Sequence, residues 1–414
     1  MRWHQLGLLS SMIFVAACTS PDKATPGLPE VLRANLEMSP NQPLTREGVA
    51  FELQVMGGQL GDDISCHLDL GVPGVPPQQW NCAGPLKTSF PVPGDFVSTV
   101  IVYEGQQPIL TARHNVTVRD CNTEDIWDSK GEVNGYLSGW YIGAGGCVYD
   151  PNLYSIEQVP PIMPLKDPQS ANTVWNINGF SAPPWKPFFA SGLMADSMGA
   201  PVIVIYNPTG SAKEELASTL LSDKLSRQVS ELAVARLARG DTVTISGASQ
   251  GAIHIRKIAN LVIKSLEKED ISPSERSEVL ERLRLQTMGG VGWQFPEGPR
   301  YIHYVNRLDP IANYSGMGSP RAPIKNGMVV AGFSGEAPSC SDRRQDYDDG
   351  KWSGGAELTV LGLPELPSAA DRASHEGCVY STYTMDYETV WKCAQGKPMV
   401  EVGFDQGYHS CLPQ

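Results

Sequence analysis

Two textures of apolar and polar positions divide the chain. From about Leu28 to Asp120 the apolar residues alternate at period two in short runs: Phe51-Glu-Leu-Gln-Val, Val97-Ser-Thr-Val-Ile-Val-Tyr and Leu110-Thr-Ala-Arg-His-Asn-Val-Thr-Val. Alternation of this kind predicts half-buried strands, and Gly57-Gly58, Gly61-Asp62 and Pro93-Gly94 mark turns between them. Residues 30–120 are therefore expected to form an antiparallel β-sandwich. Residues 121–172 are rich in Gly, Pro, Tyr and Trp without a clear period, and read as a connecting segment packed on the C-terminal region.

From residue 173 to 414 the texture changes. Val174-Trp-Asn-Ile-Asn is a strand, followed by a helix around Lys186 to Met198, and Val202-Ile-Val-Ile-Tyr is the continuous apolar run of a strand buried on both faces. A helix around Leu221 to Arg239 puts Leu221, Leu225, Val229 and Leu232 on one face. A β-branched strand at Asp241 to Ser246 and a helix from Gln250 to about Leu266 come next. The charged stretch Lys268 to Arg284 predicts a solvated helix. Leu283–Met288, Tyr301–Asn306, Ala356–Gly362 and Met399–Phe404 read as further strands, with a helical stretch around Thr382 to Lys392. Strands alternating with helices at these lengths predict a parallel α/β sheet.

The first residues bear on the compartment. Arg2 and His4 precede an apolar run, Leu6 to Ala17, too short to span a bilayer and suited to a secretory signal over residues 1–17. Val15-Ala16-Ala17-Cys18 resembles the bacterial lipobox, which implies acylation of Cys18 and a membrane attachment through lipid alone; Thr19 by the same resemblance favours the outer membrane. Residues 18–29 then form a flexible tether. Nine cysteines less Cys18 leave eight, an even number that suggests disulfides in an exported chain. Pairing between neighbours, 66 with 82 and 121 with 147, is expected for the first half. Metal binding is the weaker reading, since no C-x-x-C or close Cys/His pair occurs. A net charge of −13 argues against nucleic acid as a partner, there being no basic patch to neutralise phosphates.

The chemistry concentrates on Gly247-Ala248-Ser249-Gln250-Gly251, a G-x-S-x-G between the predicted strand and helix. A turn that tight strains the serine and holds its hydroxyl clear of the sheet edge. A nucleophilic serine needs a base and an acid to orient that base. Asp309, in Asn306-Arg-Leu-Asp-Pro-Ile just past a strand, is the candidate acid. His375, in a loop ahead of a helical stretch, is the candidate base, with His409 near the C-terminus as the alternative. His254 on the helix after the serine and His303 inside a strand read as structural. The backbone N–H of Gln250 and that of Phe180, after Asn178-Gly179, are the candidate oxyanion donors. Asn178 or Ser181 could add a side chain to them.

G-x-S-x-G upstream of N-x-x-D-P-[I/V], with Met288-Gly-Gly between, resembles the lipase-like α/β-hydrolases, including the class 3 lipases. Tyr380 and Tyr383, after His375, resemble the histidine-to-tyrosine spacing of that family. The resemblance implies an α/β-hydrolase domain over residues 173–414, a Ser-His-Asp triad, no cofactor and a small-molecule or lipid ester as substrate. An amidase, a peptidase, an acyltransferase or an inactive binding lipoprotein stays open beside it. Phe180, Trp185, Phe188 and Phe189 suggest an apolar acyl or aryl group, although in a helix they could equally serve the core. The N-terminal block, with Cys66 and Cys82 able to pin two strands, is immunoglobulin-like in pattern. Its Pro-Gly-Asp-Phe and the strand after it resemble PKD-type domains, and a spacer role is the plain expectation. Asp342 to Asp349 lacks the ligand spacing of a calcium loop, and no Walker or dinucleotide motif is present.

Overall fold

The computed structural model describes residues 32–58, 60, 63–121, 137–166, 168, 170–179, 185–208, 224–334, 377–405 and 408–414. The N-terminal block forms two antiparallel sheets. β1 (Arg33–Ser39), β2 (Val49–Met56) and β5 (Leu86–Thr88) make one, in the order β1-β2-β5. β3 (Ile64–Asp69), β4 (Gln78–Trp80), β6 (Gly94–Glu104) and β7 (Gln107–Val118) make the other, in the order β4-β3-β6-β7. Their inner faces bury Leu36, Phe51, Leu68, Phe90, Val100, Val102 and Val116 in one core. Every second residue faces inward, which is the alternation visible in the sequence.

The second unit is a ten-stranded, mostly parallel sheet in the order β17-β16-β15-β14-β13-β12-β10-β11-β8-β9. Its parallel strands are β10 (Val174–Ile177), β11 (Val202–Ile205), β12 (Val243–Ala248), β13 (Leu283–Met288), β14 (Arg300–Asn306), β15 (Met328–Phe333) and β16 (Met399–Asp405). β17 (Tyr408–Pro413) closes one edge antiparallel to β16. β8 (Tyr141–Ile142) and β9 (Val148–Tyr149) close the other. Their two residues apiece are too few to show a period, so the sequence of 121–172 does not reveal them. β10 and β11 are buried at every position, because helices cover both faces.

One layer holds α2 (Lys224–Ala238) and α3 (Gly251–Leu266), whose Leu225, Val229, Ala233, Ile255, Ile258 and Val262 meet Ile177, Ile245 and Leu285 of the sheet. Short α4 (Pro273–Glu281) comes after α3, started by a capping box between Ser272 and Glu275. α5 (Pro310–Ser315) comes after β14. The opposite layer holds α1 (Trp185–Met198), α6 (Gly377–Tyr383) and α7 (Tyr387–Ala394), packed on Val204, Met288, Tyr304 and Phe333. The helix expected over 382–392 is two, separated where Asp386 caps α7 through the Thr389 N–H. β15 is an additional strand, marked in the sequence by the apolar run Met328-Val-Val-Ala-Gly-Phe. The strand expected at Ala356–Gly362 lies outside the described residues.

The sandwich is bound tightly to this unit. Arg46, at a left-handed φ of 62°, sends a two-pronged guanidinium to Asp196 of α1 at 2.7 and 2.9 Å. Asp196 also accepts from the Leu165 N–H at 2.8 Å. A Cβ on Gly192 would meet the guanidinium at 3.3–3.4 Å, so the absent side chain makes room for it. Ser89 donates to the Met163 and Pro164 carbonyls, and Gly145 N–H to the Thr45 carbonyl.

Disulfides join Cys66 to Cys82, Cys121 to Cys147 and Cys393 to Cys411. The first two are the neighbour pairs expected. Such bonds persist in oxidising compartments, which suggests an extracytoplasmic protein. Among the described residues no helix is long and apolar enough to cross a membrane.

Candidate active site

The order of the parallel strands reverses between β10 and β12, since β11 lies outside β10 while β13 to β16 run the other way. Chains leaving the C-terminal ends of two such strands diverge and open a crevice. Gly179 comes just after β10 there, and Ser249 just after β12.

Ser249 takes φ +49°, one of the few non-glycine residues in the left-handed region. Holding such a conformation costs about 1–3 kcal/mol, and the surroundings must enforce it. Its N–H donates to the Met288 carbonyl at 2.9 Å, and its carbonyl accepts from Ala252 and Val291 at 3.1 and 3.3 Å. The flanking glycines are required by contact. A Cβ on Gly247 would lie 2.6 Å from the Gly251 carbonyl oxygen, and one on Gly251 would lie 2.5 Å from that of Ile177. Gly179 is squeezed against the serine itself, its notional Cβ 2.9 Å from Ser249 Cβ. Ser249 thus sits at the entrance of α3, where unsatisfied N–H groups and the helix dipole favour negative charge.

Asp309 lies three residues beyond the end of β14, with only β13 between β12 and β14. It is fully buried. Its Oδ1 caps α5 by accepting from Ile311 and Ala312 N–H at 2.9 and 3.3 Å, ahead of Pro310 at the first helical position. Its Oδ2 accepts from the Tyr380 hydroxyl of α6 at 2.5 Å, and that hydroxyl accepts from Asn306 N–H at 3.1 Å. Burial, then the charge of Asp309, pushes the Tyr380 phenol well above its ordinary value, so it remains a donor. Gly289, at φ 58°, lets the pair meet: a Cβ there would lie 2.7 Å from the Tyr380 ring and 3.0 Å from Asp309 Oδ2. The spacing of Tyr380 from His375 is visible in the sequence, whereas its hydrogen bond to Asp309 is not.

His375 and Phe180 lie outside the described residues. Neighbours of both are described: Gly179, against Ser249, and α6, which starts two residues after His375. His409 stands on β17, opposite Phe404, with Nε2 2.9 Å from the Thr382 carbonyl. Burial lowers its pKa, and the bond to Thr382 opposes this. His254 is buried with Nδ1 3.0 Å from Ser226 Oγ, tying α3 to α2. His303 is buried with Nδ1 2.8 Å from Thr287 Oγ1, and burial lowers its pKa to about 3.

Three sets of contacts beside Ser249 are not legible in the sequence. Ile253, Val291 and Ile311 form a small apolar cluster of their own. Asn207, just past β11, is buried and donates through Nδ2 to Gln250 Oε1 at 3.1 Å. Asn178, a candidate side-chain contributor to the oxyanion hole, instead exchanges hydrogen bonds with the Asn207 backbone. Among the described residues no group of three or more His, Cys, Asp or Glu side chains could hold a metal ion.

No protein-family model and no curated relative matches the chain. Among solved structures, one of carbohydrate-binding modules from the β-sandwich superfamily aligns with 28% of the chain at 20% identity and a TM-score of 0.20; the chain covers 44% of it. A GH5 xyloglucanase from Bacteroides ovatus aligns over 90% of this chain and 94% of its own at 11% identity, TM-score 0.19. A β-glucuronidase from Ruminococcus gnavus aligns over 67% and 54% at 9% identity, TM-score 0.16. At such TM-scores these overlaps carry no argument about fold or function.

Proposed function

We propose that the protein is an exported serine hydrolase of α/β-hydrolase type that cleaves carboxylic esters through an acyl-enzyme. The observation that carries this reading is Ser249 at φ +49°, held between a buried parallel strand and a helix at the strand-order reversal. A strained serine at that position has its hydroxyl presented to a crevice and a helix N-terminus behind it.

In the mechanism Ser249 Oγ attacks the ester carbonyl while His375 takes its proton, then returns it to the leaving alcohol. Asp309 orients the imidazole and stabilises it when charged. Its other acceptor duties, to Ile311, Ala312 and Tyr380, hold the carboxylate in one place. The N–H groups of Gln250 and Phe180 stabilise the oxyanion, and water releases the acyl group. His375 is preferred over His409 on two grounds. It lies just before the helix whose Tyr380 binds Asp309, and His409 has its Nε2 on the Thr382 carbonyl. Ile253, Val291 and Ile311 beside the serine favour an apolar acyl or aryl group. Acylation at Cys18 would anchor the enzyme to a membrane, the outer membrane by the lipobox resemblance.

The test is covalent labelling. A fluorophosphonate is expected to modify Ser249, mapped by mass spectrometry, and Ser249→Ala to abolish both labelling and turnover of p-nitrophenyl esters. Peptide anilides should turn over far more slowly. His375→Ala should lose activity while His409→Ala keeps most of it; the reverse result moves the base to His409. An unlabelled Ser249 in the folded protein would end the hydrolase reading. Cys18→Ser is expected to release the protein from the membrane fraction.

A further inference from the structure

Beside Ser249 lies a buried network of three amide side chains, Asn178, Asn207 and Gln250, exposed to 4%, 6% and 5%. They come from three separate elements: the end of β10, the end of β11 and the residue after the serine. Asn207 N–H donates to Asn178 Oδ1 at 2.8 Å, and Asn178 Nδ2 donates back to the Asn207 carbonyl at 2.7 Å. Asn207 Nδ2 reaches the Asn178 carbonyl at 3.5 Å and Gln250 Oε1 at 3.1 Å. Asn178 Nδ2 also donates to the Gly179 carbonyl at 2.9 Å.

We infer that Asn207 is a positioning residue for the oxyanion hole, holding both of its donor segments to one another. The inference rests on the hydrolase reading. One proposed donor is the Gln250 N–H, and the Gln250 side chain is tied down by Asn207. The other donor segment leaves β10 through Asn178 and Gly179, and the group held there is the Gly179 carbonyl. Asn178 holds it, and Asn207 holds Asn178 from both its backbone groups and its side chain.

Burial explains why such a network is specific. A buried amide whose partner is removed loses its hydrogen bond without regaining water. The three side chains therefore settle in one mutual arrangement, and two loops that are far apart in sequence share it. The hole is then preorganised, with little reorganisation left to the moment of reaction. Touching no substrate, Asn207 acts through Asn178 and Gln250.

The experiment uses the full chain with p-nitrophenyl butyrate, measuring kcat, KM and melting temperature for Asn207→Leu, Gln250→Met and the pair. Asn207→Leu removes the donor; Gln250→Met removes only the acceptor and keeps the backbone N–H, so it serves if the first variant does not fold. Misaligned oxyanion donors weaken binding of the transition state and not of the ground state. Each single variant should therefore lose about 10- to 100-fold in kcat, less than the full loss of a donor, with KM within about threefold. The double variant should fall no further than the worse single, because both remove one contact. Folded variants that keep kcat within about twofold would overturn the inference, as would a rise in KM at constant kcat or losses that multiply in the double. If the unmodified chain neither labels with fluorophosphonate nor turns over ester, the hydrolase reading fails, and this inference with it. If it does both and folded Asn207→Leu keeps kcat within about twofold, the inference alone fails.

Discussion

Replacing Tyr380 by Phe tests whether Asp309 is held from two sides. The ring stays, against Gly289 and edge-on to Phe333 at 5.3 Å between centroids, so no cavity opens. What goes is the hydroxyl, and with it two bonds: the donation to Asp309 Oδ2 at 2.5 Å and the acceptance from Asn306 N–H at 3.1 Å. Hydrogen bonds to a charged group contribute about 1.5–3 kcal/mol, and a buried N–H left without its acceptor costs about 1–3 kcal/mol. The expected destabilisation is about 3 kcal/mol. In a unit of this size each kcal/mol moves the melting temperature by about 2–4 °C. Thermal unfolding followed by circular dichroism should show a loss of about 6–12 °C. On the proposed hydrolase reading, ester turnover should fall more in kcat than in KM, because the carboxylate would lose part of what fixes its direction toward the base. A melting temperature within about 1 °C of the parent would refute the reasoning, since it would mean that Asp309 and Asn306 find equal partners without the phenol.

Three other substitutions act on contacts of the same kind. Arg46→Met should cost about 2–3 kcal/mol, because it leaves Asp196 without its two-pronged partner in a site with little solvent, less than for a fully buried pair; unfolding of sandwich and α/β unit should then separate into two transitions, and a single unshifted one would contradict the clamp. Gly179→Ala puts a Cβ 2.9 Å from Ser249 Cβ and 3.0 Å from the Ala248 carbonyl oxygen, so fluorophosphonate labelling should slow by at least about tenfold while the fold survives; unchanged labelling would show that β10 does not crowd the serine. His303 has its pKa lowered to about 3 by burial. Its neutral form is the folded one, so its contribution is full above the unfolded pKa of about 6.5 and is lost as pH falls from there toward 3. His303→Leu should flatten the fall of urea midpoints between about pH 6.5 and 4, and an unaltered slope would assign the acid sensitivity elsewhere.

Much of this architecture is legible because it depends on local chemistry. Period-two alternation at 51–55, 97–103 and 110–118 predicts strands, since a half-buried sheet buries every second side chain. The doubly covered strands at 174–177 and 202–205 show as apolar runs because both of their faces are buried. The Ser249 elbow is legible through Gly247 and Gly251, whose missing side chains are explained by carbonyls 2.6 and 2.5 Å from where a Cβ would be. Asp309-Pro310 reads as a helix start because the aspartate caps and the proline needs no donor. β8 and β9 are illegible, for two residues carry no period. The second edge strand, β17, escapes notice because an edge hairpin has only one strand to pair with and a mixed apolar pattern.

Spacing along single stretches of chain is enough to specify the two-unit order, the parallel α/β texture and the strained serine. The surroundings of that serine are a product of long-range packing. Tyr380 meets Asp309 across 71 positions, Asn207 meets Gln250 across 43, and Arg46 meets Asp196 across 150. Such contacts join elements whose relative placement is set by sheet order and helix packing. A polar side chain carries no mark of its distant partner. Burial then makes the partner obligatory for the Tyr380–Asp309 and Asn207–Gln250 pairs, whose groups would otherwise lose their hydrogen bonds to water without replacement.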